Sequence, residues 1–173
     1  AEVKGTATSI YNIDGKNMYP GYTTSKHETF AVDAAMYLWV PSEQKAELFY
    51  SINTTPIAVY DSKHQQKFER PSEPFFVKAS ATIISQGVTP TPINTASEAE
   101  QDAEPASTSQ QSALNEELSK ADTVKKSLKY TNASKTNRDT YDKAISKGKT
   151  LADSKTATGV QAILETALIK QAE

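Results

Sequence analysis

Twelve of the 14 aromatic residues precede residue 77, and only Tyr130 and Tyr141 follow. Aromatic rings supply much of the buried area of a small core. The front of the chain therefore has the means to build a compact interior from rings. The back must build its own from Ala, Leu, Ile and Val. At 173 residues, a division into two modest bodies is physically reasonable.

The pattern of apolar residues differs between the two ends. Residues 3–10 (VKGTATSI) alternate as a strand with one wet face. Asp14-Gly15 and Tyr19-Pro20-Gly21-Tyr22 are turn signals. In residues 29–40 (TFAVDAAMYLWV), Phe30, Val32, Met36, Leu38 and Val40 alternate with Ala31, Asp33, Tyr37 and Trp39. Residues 46–52, 57–60 and 74–84 read as further strands, with a polar hairpin tip over 62–72. From residue 113 the period becomes helical. Leu114, Leu118, Ala121, Val124 and Leu128 form one stripe, Tyr141, Ala144, Ile145, Gly148 and Leu151 a second, and Val160, Ile163, Leu164, Ala167 and Leu168 a third. Ser134 is a predicted N-cap, and Thr158 with Gln161 has capping-box spacing. The expected fold is α+β with two subdomains: an antiparallel β-sandwich or barrel at 1–88, a Pro/Ser/Thr/Glu linker at 89–112, and an antiparallel three-helix module at 113–173. A helix starting near Ser97 would be interrupted by Pro105.

Charge and chemistry narrow the function. The net charge of −2 exerts no long-range pull on nucleic acid. The linker carries only acids, and residues 113–173 carry 11 basic and 8 acidic side chains. Without cysteine there is no disulfide, thiolate ligand or thiol nucleophile. No apolar run is long enough to cross a bilayer. His27 and His64 lack partners at metal-ligand spacing, and the Asp61–His64 spacing is weak. Glu43/Glu47 and Asp139/Asp142 are unconvincing as catalytic carboxylates. There is no G-x-S-x-G elbow and no phosphate loop. We therefore expect a non-enzymatic protein with no cofactor, no metal and no catalytic residue.

Two contact surfaces are expected. If Met36, Leu38 and Val40 fill the core, Tyr37 and Trp39 point outward, and such rings dominate binding hot spots. The helical lysines, Lys125, Lys126 and Lys129 among them, form either a solvated face or a contact for an acidic partner. Lys78, set in an apolar strand, is the lysine to check for an internal crosslink to an Asn or Asp side chain.

Lys129-Tyr-Thr-Asn-Ala-Ser134, followed by Arg138, Tyr141-Asp142-Lys143-Ala144-Ile145 and Gly148, resembles the FIVAR-type helical modules of Gram-positive surface proteins. Where those modules often place an aromatic after the serine, this chain has Lys135. The whole layout also resembles a streptococcal surface repeat, a fibronectin-binding unit that recurs in tandem in secreted, cell-wall-anchored proteins. The resemblance implies a cell-adhesion and virulence role, with host fibronectin, and plasminogen second, as partners. It also implies that the chain is one repeat of a longer protein. The alternatives are a carbohydrate-binding module using an aromatic face and a structural spacer.

Overall fold

A computed structural model describes residues 2–5, 7–26, 28–154 and 157–173, with the backbone alone for 2–5. The fold is α+β. The chain separates into two compact units, Ala1–Glu100 and Gln101–Glu173.

In the first unit the strands are β1 (Glu2–Gly5), β2 (Thr23–Thr24), β3 (Thr29–Val40), β4 (Lys45–Ile52), β5 (Ile57–Tyr60), β6 (Gln66–Glu69), β7 (Phe75–Lys78) and β8 (Thr82–Gln86). They form a five-stranded sheet in the order β7-β4-β3-β1-β8 and a three-stranded sheet in the order β2-β5-β6. Every ladder among these strands is antiparallel. Neither sheet closes, so the barrel alternative is set aside. The strand expected over 3–10 is cut back to β1, and the polar stretch 62–72 contains β6, which the sequence reading missed. The long strand expected over 74–84 kinks at Ala79–Ala81, where the chain leaves β4 and takes up β1 as its partner.

A register shift between Val32 and Ala34 decides where the core sits. Opposed residues of an antiparallel pair share a face. Met36, Leu38 and Val40 therefore lie on one face with Phe49 and Phe76, and all five are buried. Phe30 and Val32 lie on the other face with Ala35, Tyr50, Ile52 and Val77. The single hydrophobic face read from alternation is thus two faces, because the extra residue at the bulge reverses the parity. Both faces of the central strands are buried. Ile57 and Val59 of the smaller sheet complete the Phe30 cluster.

The loop regions close over this sheet. Residues 10–18 form a hairpin joined to β7 by paired bonds between Tyr11 and Phe76 at 2.9 and 2.8 Å. Asn12 stitches its turn. The Asn12 side-chain carbonyl accepts from the N–H groups of Asp14 and Lys16 at 3.1 and 3.0 Å. The Tyr11 ring meets Phe49 edge-on at 5.1 Å. At Pro20-Gly21 the Tyr22 N–H donates to the Tyr19 carbonyl, as the turn signal predicted.

The second unit carries α2 (Thr108–Ser119), α3 (Ala121–Lys126), α4 (Leu128–Thr131), α5 (Lys135–Asp153) and α6 (Gly159–Ala172), while α1 (Ala96–Asp102) spans the boundary between the units. Helices α2, α5 and α6 contact one another pairwise around Leu114, Ala121, Tyr141, Ile145 and Ile169. Ser134 caps α5, and Thr158 with Gln161 forms a complete capping box on α6, both as predicted. Ser107 with Gln110 forms an unpredicted one on α2. The first stripe holds through Leu114, Leu118, Ala121 and Val124, which share the helical core, and fails only at Leu128. The first helix breaks at Lys120 and again at Ser127, which caps α4, and Leu128 at the start of α4 is 79% exposed.

The linker read over 89–112 contains α1, the helix expected near Ser97, which ends before Pro105, and also the start of α2. Residues 92–94 lie along β3: Ile93 N–H donates to Ala35 O at 2.9 Å. Asn94 then imitates a strand, accepting from Tyr37 N–H at 2.7 Å and donating to Tyr37 O at 2.9 Å. A polar, proline-containing sequence can still be ordered when its amides satisfy a vacant strand edge.

Candidate functional site

The stretch from Tyr130 to Asp142 builds a corner between α4 and α5. The Tyr130 hydroxyl donates to Asp142, 3.0 Å from each carboxylate oxygen. Arg138 donates to the carbonyls of Thr131 and Ala133 at 3.3 and 2.7 Å, tying the end of α4 to α5. Tyr130 and Tyr141 meet edge to face at 5.9 Å. These residue types are thus consumed largely in making the corner.

Beside the corner lies a groove of about 500 Å³, floored by Val124, Tyr130, Tyr141 and Ala172 and bordered by Lys129 and Arg138. Of the three lysines singled out from sequence, Lys129 is exposed on this groove, and Lys126 is exposed but not among its lining residues. Lys125 is held by Asp142 at 2.8 Å. The hydrogen bond from Lys125, together with that from Tyr130, holds the Asp142 carboxyl below its ordinary range. Tyr141 is 1% exposed, and its hydroxyl has no partner among the described residues.

Tyr37 and Trp39 lie opposite Leu48 and Ala46, on the face that holds the Phe30 cluster further in. Both are half-buried, so they do not project freely as an outward-pointing pair would. Their neighbours Met36 and Leu38 are fully buried on the opposite face, as the parity argument required.

Other residues weighed from the sequence have structural roles. The Asp61 carboxylate accepts from Lys63 and Gln65 N–H at 2.8 and 2.9 Å and so shapes the turn that holds His64. His27 lies outside the described residues. The Lys78 ammonium pairs with Glu43, reaches Glu47 at 2.6 Å and stands 5.5 Å over the Tyr11 ring. Burial works against its charge, but the bonds to Glu43 and Glu47 outweigh that and raise its pKa. Its bonded partners are carboxylates, and no asparagine is bonded to it among the described residues. Lys45 joins the cluster at 2.5 Å from Glu47 and 3.3 Å from Glu43.

This cluster has a definite pH signature. Lys78 lowers the Glu43 pKa, and Lys45 and then Lys78 lower that of Glu47. Folded carboxyls with depressed pKa values bind fewer protons than unfolded ones. Their stabilisation is therefore complete above the ordinary carboxylate range and is lost as pH falls through it. Thermal midpoints measured against pH should drop on acidification, and Lys78→Met should flatten that drop.

Glu165 of α6 has the opposite sign. It is 6% exposed, its Oε2 has no partner among the described residues, and burial raises its pKa, outweighing the opposing charge of Lys147. The folded state therefore favours the protonated form. Its contribution is best at acid pH and is lost as pH rises through the raised value. Glu165→Gln should raise the thermal midpoint at pH 7 and cancel that loss, measured by calorimetry at several pH values.

No protein-family model, curated protein or solved structure matches this chain.

Proposed function

We propose that the chain is a non-enzymatic repeat of a Gram-positive surface adhesin, secreted and anchored to the cell wall, which binds a host matrix protein. In this reading the first unit is a sandwich of the two sheets and the second a FIVAR-like three-helix bundle. The supporting observation is the corner made by Tyr130, Arg138, Tyr141 and Asp142. The phrase that resembles surface modules has a coherent folding role here, and it sets Lys129 and Tyr130 beside a groove. Fibronectin is the first partner and plasminogen the second, the latter because exposed lysines suit lysine-binding modules. A single module should bind weakly, and tandem copies should gain through effective concentration.

Surface plasmon resonance of one and two linked copies over immobilised fibronectin and plasminogen tests this. Binding should strengthen in the linked pair and weaken at least about fivefold in Lys129→Glu, as expected for a lost charge contact of about 1 kcal/mol. No response from either form at micromolar concentration rejects the proposal. A carbohydrate-binding reading draws support from Tyr37 and Trp39, which lie on one face and are only half-buried. A glycan array decides it: sugar binding that disappears in Trp39→Ala would favour this second reading.

A further inference from the structure

From Ala79 to Ser97 the chain carries no charged residue. Within this run lies β8, which pairs with β1 on one side and is the edge of the five-stranded sheet. Ile83 in β8 is 60% exposed, and Val88, two residues beyond the strand, is 87% exposed. Edge strands are templates for further pairing, and proteins commonly guard them with charges or proline. The edge strand β6 follows that practice: its exposed Phe68 is flanked by Lys67 and Glu69, which pair with each other. In β8 (TIISQ) there is no such guard, and both prolines of the run, Pro90 and Pro92, lie past it.

We propose that β8 is a self-association strand, pairing antiparallel with β8 of a second copy of this chain across a two-fold axis. The charge pattern selects this occupant. In a two-fold contact a strand meets its own sequence, so any charge near the axis faces a like charge close by, which is destabilising. β8 has none, and the nearest charges in sequence are Lys78 and Glu98. Its β-branched Thr82, Ile83 and Ile84 suit a pleated ladder. Pairing removes Ile83 from water and extends the five-stranded sheet by a further ladder. The strand is short, so the interface falls at the weak end of specific contacts.

Sedimentation equilibrium of the full chain tests the proposal, run up to about 1 mM, because an interface this small is expected to dissociate well above micromolar concentration. A monomer–dimer equilibrium is expected. Ile83→Lys should weaken it at least tenfold and leave the thermal midpoint unchanged, since Ile83 is mostly exposed. Phe68→Lys should leave association intact. A chain that stays monomeric throughout overturns the proposal. So does association that survives Ile83→Lys, or that Phe68→Lys weakens as much. Capture of an unrelated extended peptide by β8, with the chain itself monomeric, would assign the edge to a different partner and also overturn it.

Discussion

Gly15→Ala is expected to lower the thermal midpoint of the β unit by more than about 10 °C, the largest effect of any single methyl group in the first unit. Gly15 is buried at the tip of the 10–18 hairpin with φ +68°. A Cβ there would stand 1.9 Å from the Trp39 carbonyl oxygen and 3.1 Å from Val40 Cα. Both are backbone atoms of the strand that carries the core on each face, so neither can swing aside as a side-chain tip would. The left-handed conformation costs a non-glycine residue about 1–2 kcal/mol. Displacing packed backbone adds about 1–3 kcal/mol. The total is a large share of the roughly 5–15 kcal/mol that holds a domain folded. Gly21→Ala is the matched comparison. Its φ is +85°, yet nothing lies within 4 Å of the added methyl. It should cost about 1 kcal/mol, the conformational term alone. Calorimetry or thermal circular dichroism separates the two variants. Equal losses would show that the approach of the hairpin to Trp39 is not what demands glycine at position 15.

Tyr141→Ala is expected to destabilise the helical unit by about 3–5 kcal/mol, the usual cost of removing a fully buried ring. Tyr141 heads the largest completely buried side chains and packs with Leu114, Ala121, Ile145 and Ile169. Tyr141→Phe should behave in the opposite way. The hydroxyl has no partner among the described residues, and burial raises its pKa. Removing an unsatisfied buried hydroxyl gives up no bond and ends a desolvation penalty, so the variant should gain up to about 1 kcal/mol. Denaturant unfolding of the two variants measures the contrast. A marked loss in Tyr141→Phe would mean that the hydroxyl is engaged after all, most simply by an ordered water on the floor of the groove.

Local signals explain which parts of the fold were legible. Ser134, Thr158 and Gln161 act on amide groups within three residues of themselves, so helix starts could be read directly. The same holds for the Asp14-Gly15 and Pro20-Gly21 turns. The candidate groove was legible only in part. Lys129 stood out as a cation on a helix, whereas Tyr130 and Tyr141 meet across an 11-residue separation that periodicity does not report. Lys125 looked equivalent to Lys129 in sequence but is tied to Asp142 of α5, a partner that helical spacing along α3 does not report.

The chain order of its residues alone established that rings and β-branched residues would make sheets at the front and that methyl-rich stripes would make helices behind. Both follow from the short-range periodicity of side chains along a backbone. Tertiary structure decided the rest. An extra residue near Asp33 sends Phe30 and Met36 to opposite cores, and Asn94 closes the β3 edge from 57 positions away. The same strand order leaves β8 at the edge of its sheet. Bulges, distant amide partners and edges are properties of strand pairing, and pairing is set by the competition among all strands for neighbours rather than by any one segment.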